Sequence, residues 1–321
     1  MPQNPIPAQA YARSPSNAVK QLRCDDSGNV YVSNGTGNSW YVDEATGLDT
    51  NNGSINAPFA SLTAAQAAAV ADNGDVVYLI GTVHVAATVA WAKDGVSLVG
   101  IMAPSDNDRA RISQTGSAVF SPLVSVTGQG CRIENIATFH GFNNASAQVC
   151  WAEAGGRSYY KGVDFIGMGD LTAAAQAGGR SLTVAGAGEN VFDDCTIGLD
   201  TVLRATGTNA SLEFLAGTPR NVFNRTLFQM LTSNAADVHI TAGAGGLDRF
   251  ATFNDPVFMN AVESGSTTIN AAVTADAAAG GAIVLNRPCS LGATALATTG
   301  PVYVVGSTPV ATTSGIAIKA T

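Results

Sequence analysis

Charge is scarce in this chain. Aspartate, glutamate, lysine and arginine make up 12% of its 321 residues, about half the roughly 25% of an ordinary soluble domain. So little charge can hardly keep a monomer's surface in water, which implies that much of it is covered by a partner or by copies of itself. Lysine occurs only at 20, 93, 161 and 319, arginines are scattered without runs, and the formal net charge is -8. Nucleic-acid binding needs a cationic face to displace counterions and is not expected. No stretch reaches the roughly 20 continuous apolar residues that span a bilayer, so no membrane role is expected. The opening "MPQNPIPAQAYARSPSN" has neither the charged nor the apolar region of a secretory signal, which points to synthesis in a cytoplasm. Five cysteines (24, 131, 150, 195 and 289) form no CxxC pair, which removes the strong zinc and redox signatures; no metal or cofactor is expected. Four of the five fall in a repetitive region and read as buried apolar filler. Cys24 lies in a polar segment and is the candidate for an intermolecular disulfide.

What is present is organised in three parts. Residues 1–38 are rich in Pro, Asn, Ser and Gly, with one alternating stretch at 29–32, "NVYV", that could add a strand. This reads as an attachment arm, with Tyr11, Arg13, Val19, Leu22, Cys24, Val30, Tyr31 and Val32 as its candidate partner contacts. Residues 39–95 form a cap: a strand at Trp40 to Val42, a Gly/Asn/Asp loop, a helix from Ser61 to Ala71 made of good helix formers, and the buried strand "DVVYLIG". A single alanine helix followed by strands only suits a lid over the open end of a strand stack.

From residue 96 to 321 a repeat emerges. "IENIAT" from Ile133, "YKGVDF" from Tyr160, "FDDCTI" from Phe192, "FNRTLF" from Phe223, "FNDPVF" from Phe253 and "LNRPCS" from Leu285 begin 27, 32, 31, 30 and 32 residues apart. The first position is always large and apolar, the second polar, the fourth mostly small or β-branched, and the sixth usually apolar. One straight strand buries a single parity, so this pattern implies a corner after the first position, with Asn and Asp serving the bend. Short strands and glycine turns precede several corners, as in "SLTVAGAG" and "HITAGAGG". Strand, glycine turn, strand, corner, strand, in about thirty residues, describes one turn of a β-solenoid.

The cap segment, from "WYVDEATGLDTNNGSINAPF" to "GDVVYLIGTVHV", resembles the opening of right-handed parallel β-helix proteins of the pectin-lyase-like superfamily. The coils resemble those of β-helical virion proteins of tailed bacteriophages. The resemblance implies an all-β, right-handed parallel β-helix and a non-enzymatic virion protein, a capsid decoration (cement) protein or head fibre. It further implies a major capsid or other virion protein as partner, a homotrimer, and a place on the capsid surface. The alternative it carries is a tailspike-like polysaccharide depolymerase, or an adhesin that holds host surface glycan.

Catalysis on such a fold would use carboxylates brought together by neighbouring coils. The best available set is Glu153, Asp164, Asp193 and Asp194 with Arg157. Against it, Asp193 and Asp194 fill a corner occupied in other repeats by Glu-Asn, Lys-Gly, Asn-Arg and Asn-Asp. Asn stacking at corners supplies hydrogen bonds between coils without any ligand. "FHGF" at 139–142 and "AGGRS" at 154–158 and 177–181 are too short to fix a site, and His84, His140 and His239 lie too far apart to suggest a metal triad.

Overall fold

The structure, a computed structural model, describes residues 37–101, 110–116, 118–205, 209–297 and 300–305, and the backbone alone of 11–13, 19–21 and 318–319. The repeat coils into a parallel β-helix with three faces. The first face carries strands such as Val191–Asp193, Thr218–Asn224 and Leu247–Asn254. The second carries Thr196–Arg204, Leu227–Thr232 and Val257–Asn260. The third is an eight-stranded sheet that includes Val149–Glu153, Arg180–Val184, Ala210–Phe214 and Val238–Ala242. The strands Arg132–Phe139 and Tyr159–Ile166 run through the corner and belong to the first and second faces together.

The register is that of the sequence repeat. Tyr160 pairs with Phe192, Phe192 with Phe223, Phe223 with Phe253, and Phe253 with Leu285. All are fully buried. Their rings stack at 4.6, 4.4 and 4.5 Å between centroids, with planes within 10° of parallel. Phe165, Ile197, Phe228 and Phe258, the sixth positions, fill the same bore from the second face.

The corner lies one residue later than the parity argument placed it. The second residue of the motif is still in the first-face strand, pointing outward, and the bend is made by the third. Asn135, Gly162, Asp194, Arg225, Asp255 and Arg287 all have φ between 50° and 58°. That conformation admits Gly, Asn and Asp readily and arginine only with strain. The arginines are held there by ion pairs described below.

The cap differs from expectation in its helix, which spans Leu62–Ala68 and not 61–71. Ser61 is its N-cap, accepting from the Ala64 amide at 3.1 Å, and is itself held by Asp49. The helix stops early because the Val70 amide donates to Asp75 Oδ2 at 2.9 Å instead of to a helical carbonyl. Lys93, from the next coil, donates to the Ala67 and Ala69 carbonyls that this leaves unpaired. A second short helix, Leu171–Ala174, capped by Asp170, interrupts what was expected to be strand only. It packs on Thr196–Arg204, where a wide turn between the second and third faces leaves room for it.

Asp75 ties the cap together. Its buried carboxylate accepts from the Asn38 amide (2.7 Å), the Trp40 indole (3.0 Å), the Val70 amide and Asn73 Nδ2 (2.7 Å). Burial alone would raise its pKa, but these donors outweigh burial and hold it below the ordinary carboxylate value of 3.8. A depressed carboxylate stabilises the fold above its unfolded pKa, and that stability is lost as pH falls through the folded value. Asp75→Ala is expected to cost about 2 kcal/mol, the range for hydrogen bonds to a charged group. Loosening should be read first in Trp40 fluorescence, and an unchanged melting curve would remove Asp75 from this role.

The arm's candidate contacts Leu22, Cys24, Val30, Tyr31 and Val32 lie outside the described residues. Tyr11–Arg13 pairs antiparallel with Val19–Gln21 as a two-stranded sheet. Cys131, Cys150 and Cys195 are buried, as expected of filler. Cys289 is exposed, contrary to expectation, because it sits at the fifth motif position, which faces outward, and not at the fourth like Cys195.

Candidate functional site

The five residues weighed as a catalytic set lie at different points of the coil. Glu153 points into the bore from the third face, where it is buried. Its Oε1 accepts from the Gly156 amide at 2.7 Å and its Oε2 from the Tyr160 hydroxyl, with the Trp151 ring edge-on to Tyr160. Burial raises its pKa from 4.5 to about 7, against the opposing effect of these hydrogen bonds. A value near 7 is what a general acid needs. The sealed bore, however, gives it no path to a substrate.

Asp193 lies outside, on the first face. It accepts from the Tyr159 hydroxyl at 2.9 Å and from Asn224 Nδ2 at 2.5 Å. It begins a ladder in which Asn254 donates to Asn224 (2.7 Å) and Asn286 to Asn254 (2.6 Å), as the stacking of Asn at this position predicted. Asp194 is at the corner, accepting at 2.6 and 3.0 Å from Nε and Nη2 of Arg225. That hydrogen bonding lowers its pKa. One coil further on, Arg287 grips Asp255 in the same way at 2.6 and 2.7 Å. Charges therefore alternate up the corner, Asp194, Arg225, Asp255, Arg287, one per coil. Arg157 is engaged elsewhere, with Glu189 at 3.0 Å and Gln129 at 3.2 Å, and Arg220 reaches the other oxygen of Glu189 at 2.9 Å. The glycines of "AGGRS" serve close approach between coils: a Cβ on Gly155 would lie 2.0 Å from the Gly128 carbonyl.

Asp164 stands apart on the second face, across the corner from Asp193. It lines a surface depression with Thr196, Gly198, Asp200 and Gln229. Two carboxylates and an amide thus share one depression. No group of three or more His, Cys, Asp or Glu placed to hold a metal occurs among the described residues. His140 is buried between Phe120 and Phe142, and burial brings its pKa down to about 4. Burial also pushes the thiols of Cys131, Cys150 and Cys195 up to about 12, which makes them poor nucleophiles.

Sequence reasoning missed an inner amide ladder. Asn190 Oδ1 accepts from the Ser158 amide at 3.0 Å, and Asn221 Oδ1 accepts from Asn190 Nδ2 at 3.0 Å, all within the buried turn between the third and first faces. The signal was there in the recurrence of "NVF" at 190–192 and 221–223. The alternation of Asp and Arg at the third motif position was legible in the same way.

No protein-family profile matches the chain, and no curated protein matches it. Among solved structures, a rhamnogalacturonan lyase is similar at a TM-score of 0.52 and 16% identity, over 79% of this chain and 68% of that one. A pectin methylesterase in complex with a hexasaccharide is similar at 0.50 and 13%, over 85% and 91%. A protein described as Geobacillus virus E2 ORF18 is matched at 0.30 and 13%, over 75% and 56%, too distant to bear on fold or role. With its three-faced coil and helical cap, the chain thus has a parallel β-helix fold similar to that of these two proteins.

Proposed function

We propose that this chain is a non-enzymatic structural protein of a tailed-phage virion, a capsid decoration protein or head fibre held to a virion partner through residues 1–38. The observation that carries the non-enzymatic part is the use of the scarce charges. Asp193, Asp194, Arg157, Arg225, Asp255 and Arg287 pair between coils, and Glu153 is sealed in the bore. Stiffening a rod needs such ladders; cleaving a glycan needs carboxylates that converge on an open groove. The virion part rests on the resemblance of the coils to those of β-helical virion proteins. A two-stranded sheet is marginal alone in water, so the pairing of Tyr11–Arg13 with Val19–Gln21 suits a segment completed by a partner.

A second reading, a polysaccharide-acting enzyme, draws on the Asp164 and Asp200 depression and on the activities named for the two fold neighbours. One assay separates them: purified chain incubated with host capsular polysaccharide or lipopolysaccharide, followed for reducing ends and unsaturated sugars. No turnover is expected. Turnover lost in Asp164→Asn or Asp200→Asn would replace the structural reading with the enzymatic one. Deleting residues 1–36 is expected to leave a folded rod that no longer attaches to virions.

Self-association belongs to the same reading. On the outer side of the second face, Leu227, Val257 and Cys289 lie in register, beside Gln229, Met259 and Leu291. Met259 and Leu291 are 39% and 54% exposed, and no charge interrupts the patch. The double variant Met259→Lys, Leu291→Lys is expected to lower the oligomeric mass measured by light scattering. An unchanged mass would take this face out of the assembly.

A further inference from the structure

The turn between the second and third faces holds a buried polar layer that neither ladder includes. Arg204, at the end of Thr196–Arg204, is 1% exposed. Its guanidinium makes one side-chain hydrogen bond, from Nη2 to Ser211 Oγ at 3.0 Å, and Nη1 has no protein partner. His239 is fully buried with its ring near Phe228 and Phe258, at 6.3 and 5.5 Å between centroids, and neither ring nitrogen has a protein partner. The register of Ala210 with Val238 and Leu212 with Ile240 sets Ser211 and His239 on adjacent rungs. Asn209 donates to Asp237 Oδ1 (3.2 Å) and to the Ala174 carbonyl (2.6 Å), while its Oδ1 is unpartnered.

Buried polar atoms without partners are costly, and those of a buried guanidinium more so. Two kinds of small guest could satisfy them. An anion accepts only; it would serve Arg204 and the one imidazole N–H, but would leave Asn209 Oδ1 and the second imidazole nitrogen unsatisfied. It would also meet Asp237, whose carboxylate accepts from Thr232 at 2.6 Å in the same layer and already offsets the charge of Arg204. Water both donates and accepts. The mixture of two donors and two acceptors therefore selects water.

We propose that the layer bounded by Arg204, Asn209, Ser211 and His239 is a built internal hydration site, its waters accepting from Arg204 Nη1 and hydrogen bonding to the His239 ring. The site explains how a repeat that lines most of its bore with apolar side chains admits Arg and His at these positions. The test is a crystal structure of the full chain at a resolution that shows ordered solvent, together with a second crystal soaked in bromide. The expected result is water density within hydrogen-bond distance of Arg204 Nη1 and of a His239 nitrogen, with no anomalous peak there after the soak. A bromide peak at the site would make it an anion site, and a layer without density would make it dry; either result overturns the proposal. Crystals of His239→Phe provide the control, since the water on the imidazole should vanish while that on Arg204 stays.

Discussion

Phe223→Ala is expected to cost about 3–5 kcal/mol, the range for removing a fully buried aromatic ring. Phe223 is stacked between Phe192 at 4.4 Å and Phe253 at 4.5 Å, with Phe214 edge-on at 6.1 Å. The backbone of each coil is hydrogen bonded to the coils on either side, so the structure cannot collapse to fill the space the ring leaves. The loss should also spread, because every coil is stabilised mainly by its two neighbours. Equilibrium urea unfolding of the variant would measure it. A loss below about 1 kcal/mol, the level of an ordinary surface change, would contradict the stacked core.

Glu153→Gln should change how stability depends on pH. In the unfolded chain this carboxyl ionises from about 4.5, whereas in the fold burial holds the proton to about 7. Between those values the native state binds more protons than the unfolded one. Its contribution is therefore fully present below the unfolded pKa and is lost as pH rises through the folded one, by about 3 kcal/mol in all. Glutamine cannot ionise, and its amide can still accept from Gly156 and donate to the Tyr160 hydroxyl. The variant should match the wild type near about pH 4 and exceed it in stability near about pH 8. Urea titrations of the two proteins across that range provide the check, and parallel curves would mean that Glu153 reaches solvent.

Both results would bear on function as well as on folding. A carboxyl with a pKa near 7 invites assignment as a catalytic acid. Glu153 has that property from sealing alone, since Tyr160 and Gly156 occupy its oxygens inside the bore. The paired Asp193 and Asp194 differ in the opposite sense. Both are reachable by solvent, yet one belongs to an amide ladder and the other to an alternating ion-pair ladder.

Much of this was legible in the order of residues, and the reasons differ from residue to residue. Phe192, Phe223 and Phe253 declared the coil because parallel, in-register strands stack identical positions, so a repeat in sequence becomes a column in space. The place of the corner was misjudged by one residue. Apolar parity reports which side chains point inward, but it does not report which residue takes the left-handed φ, and Arg225 and Arg287 are poor advertisements for that conformation. The end of the helix at Ala68 was hidden for a different reason. Alanine propensity favours continuing to Ala71, and what stops the helix is the competing acceptor Asp75, brought in by the following strand.

The sequence by itself determined the coil, its length, the inward columns and the helical cap, because each of these follows from a short-range pattern repeated at one spacing. Only the tertiary structure decided what the charges do. Whether a carboxylate meets an arginine, an asparagine, a tyrosine or a groove depends on which side chain lies one coil away, at a separation of about 4.8 Å in space and some thirty residues in the chain. Glu153 and Asp194 are both acidic residues beside glycine-rich turns, and the fold places one within the bore and the other on a corner, paired with arginine.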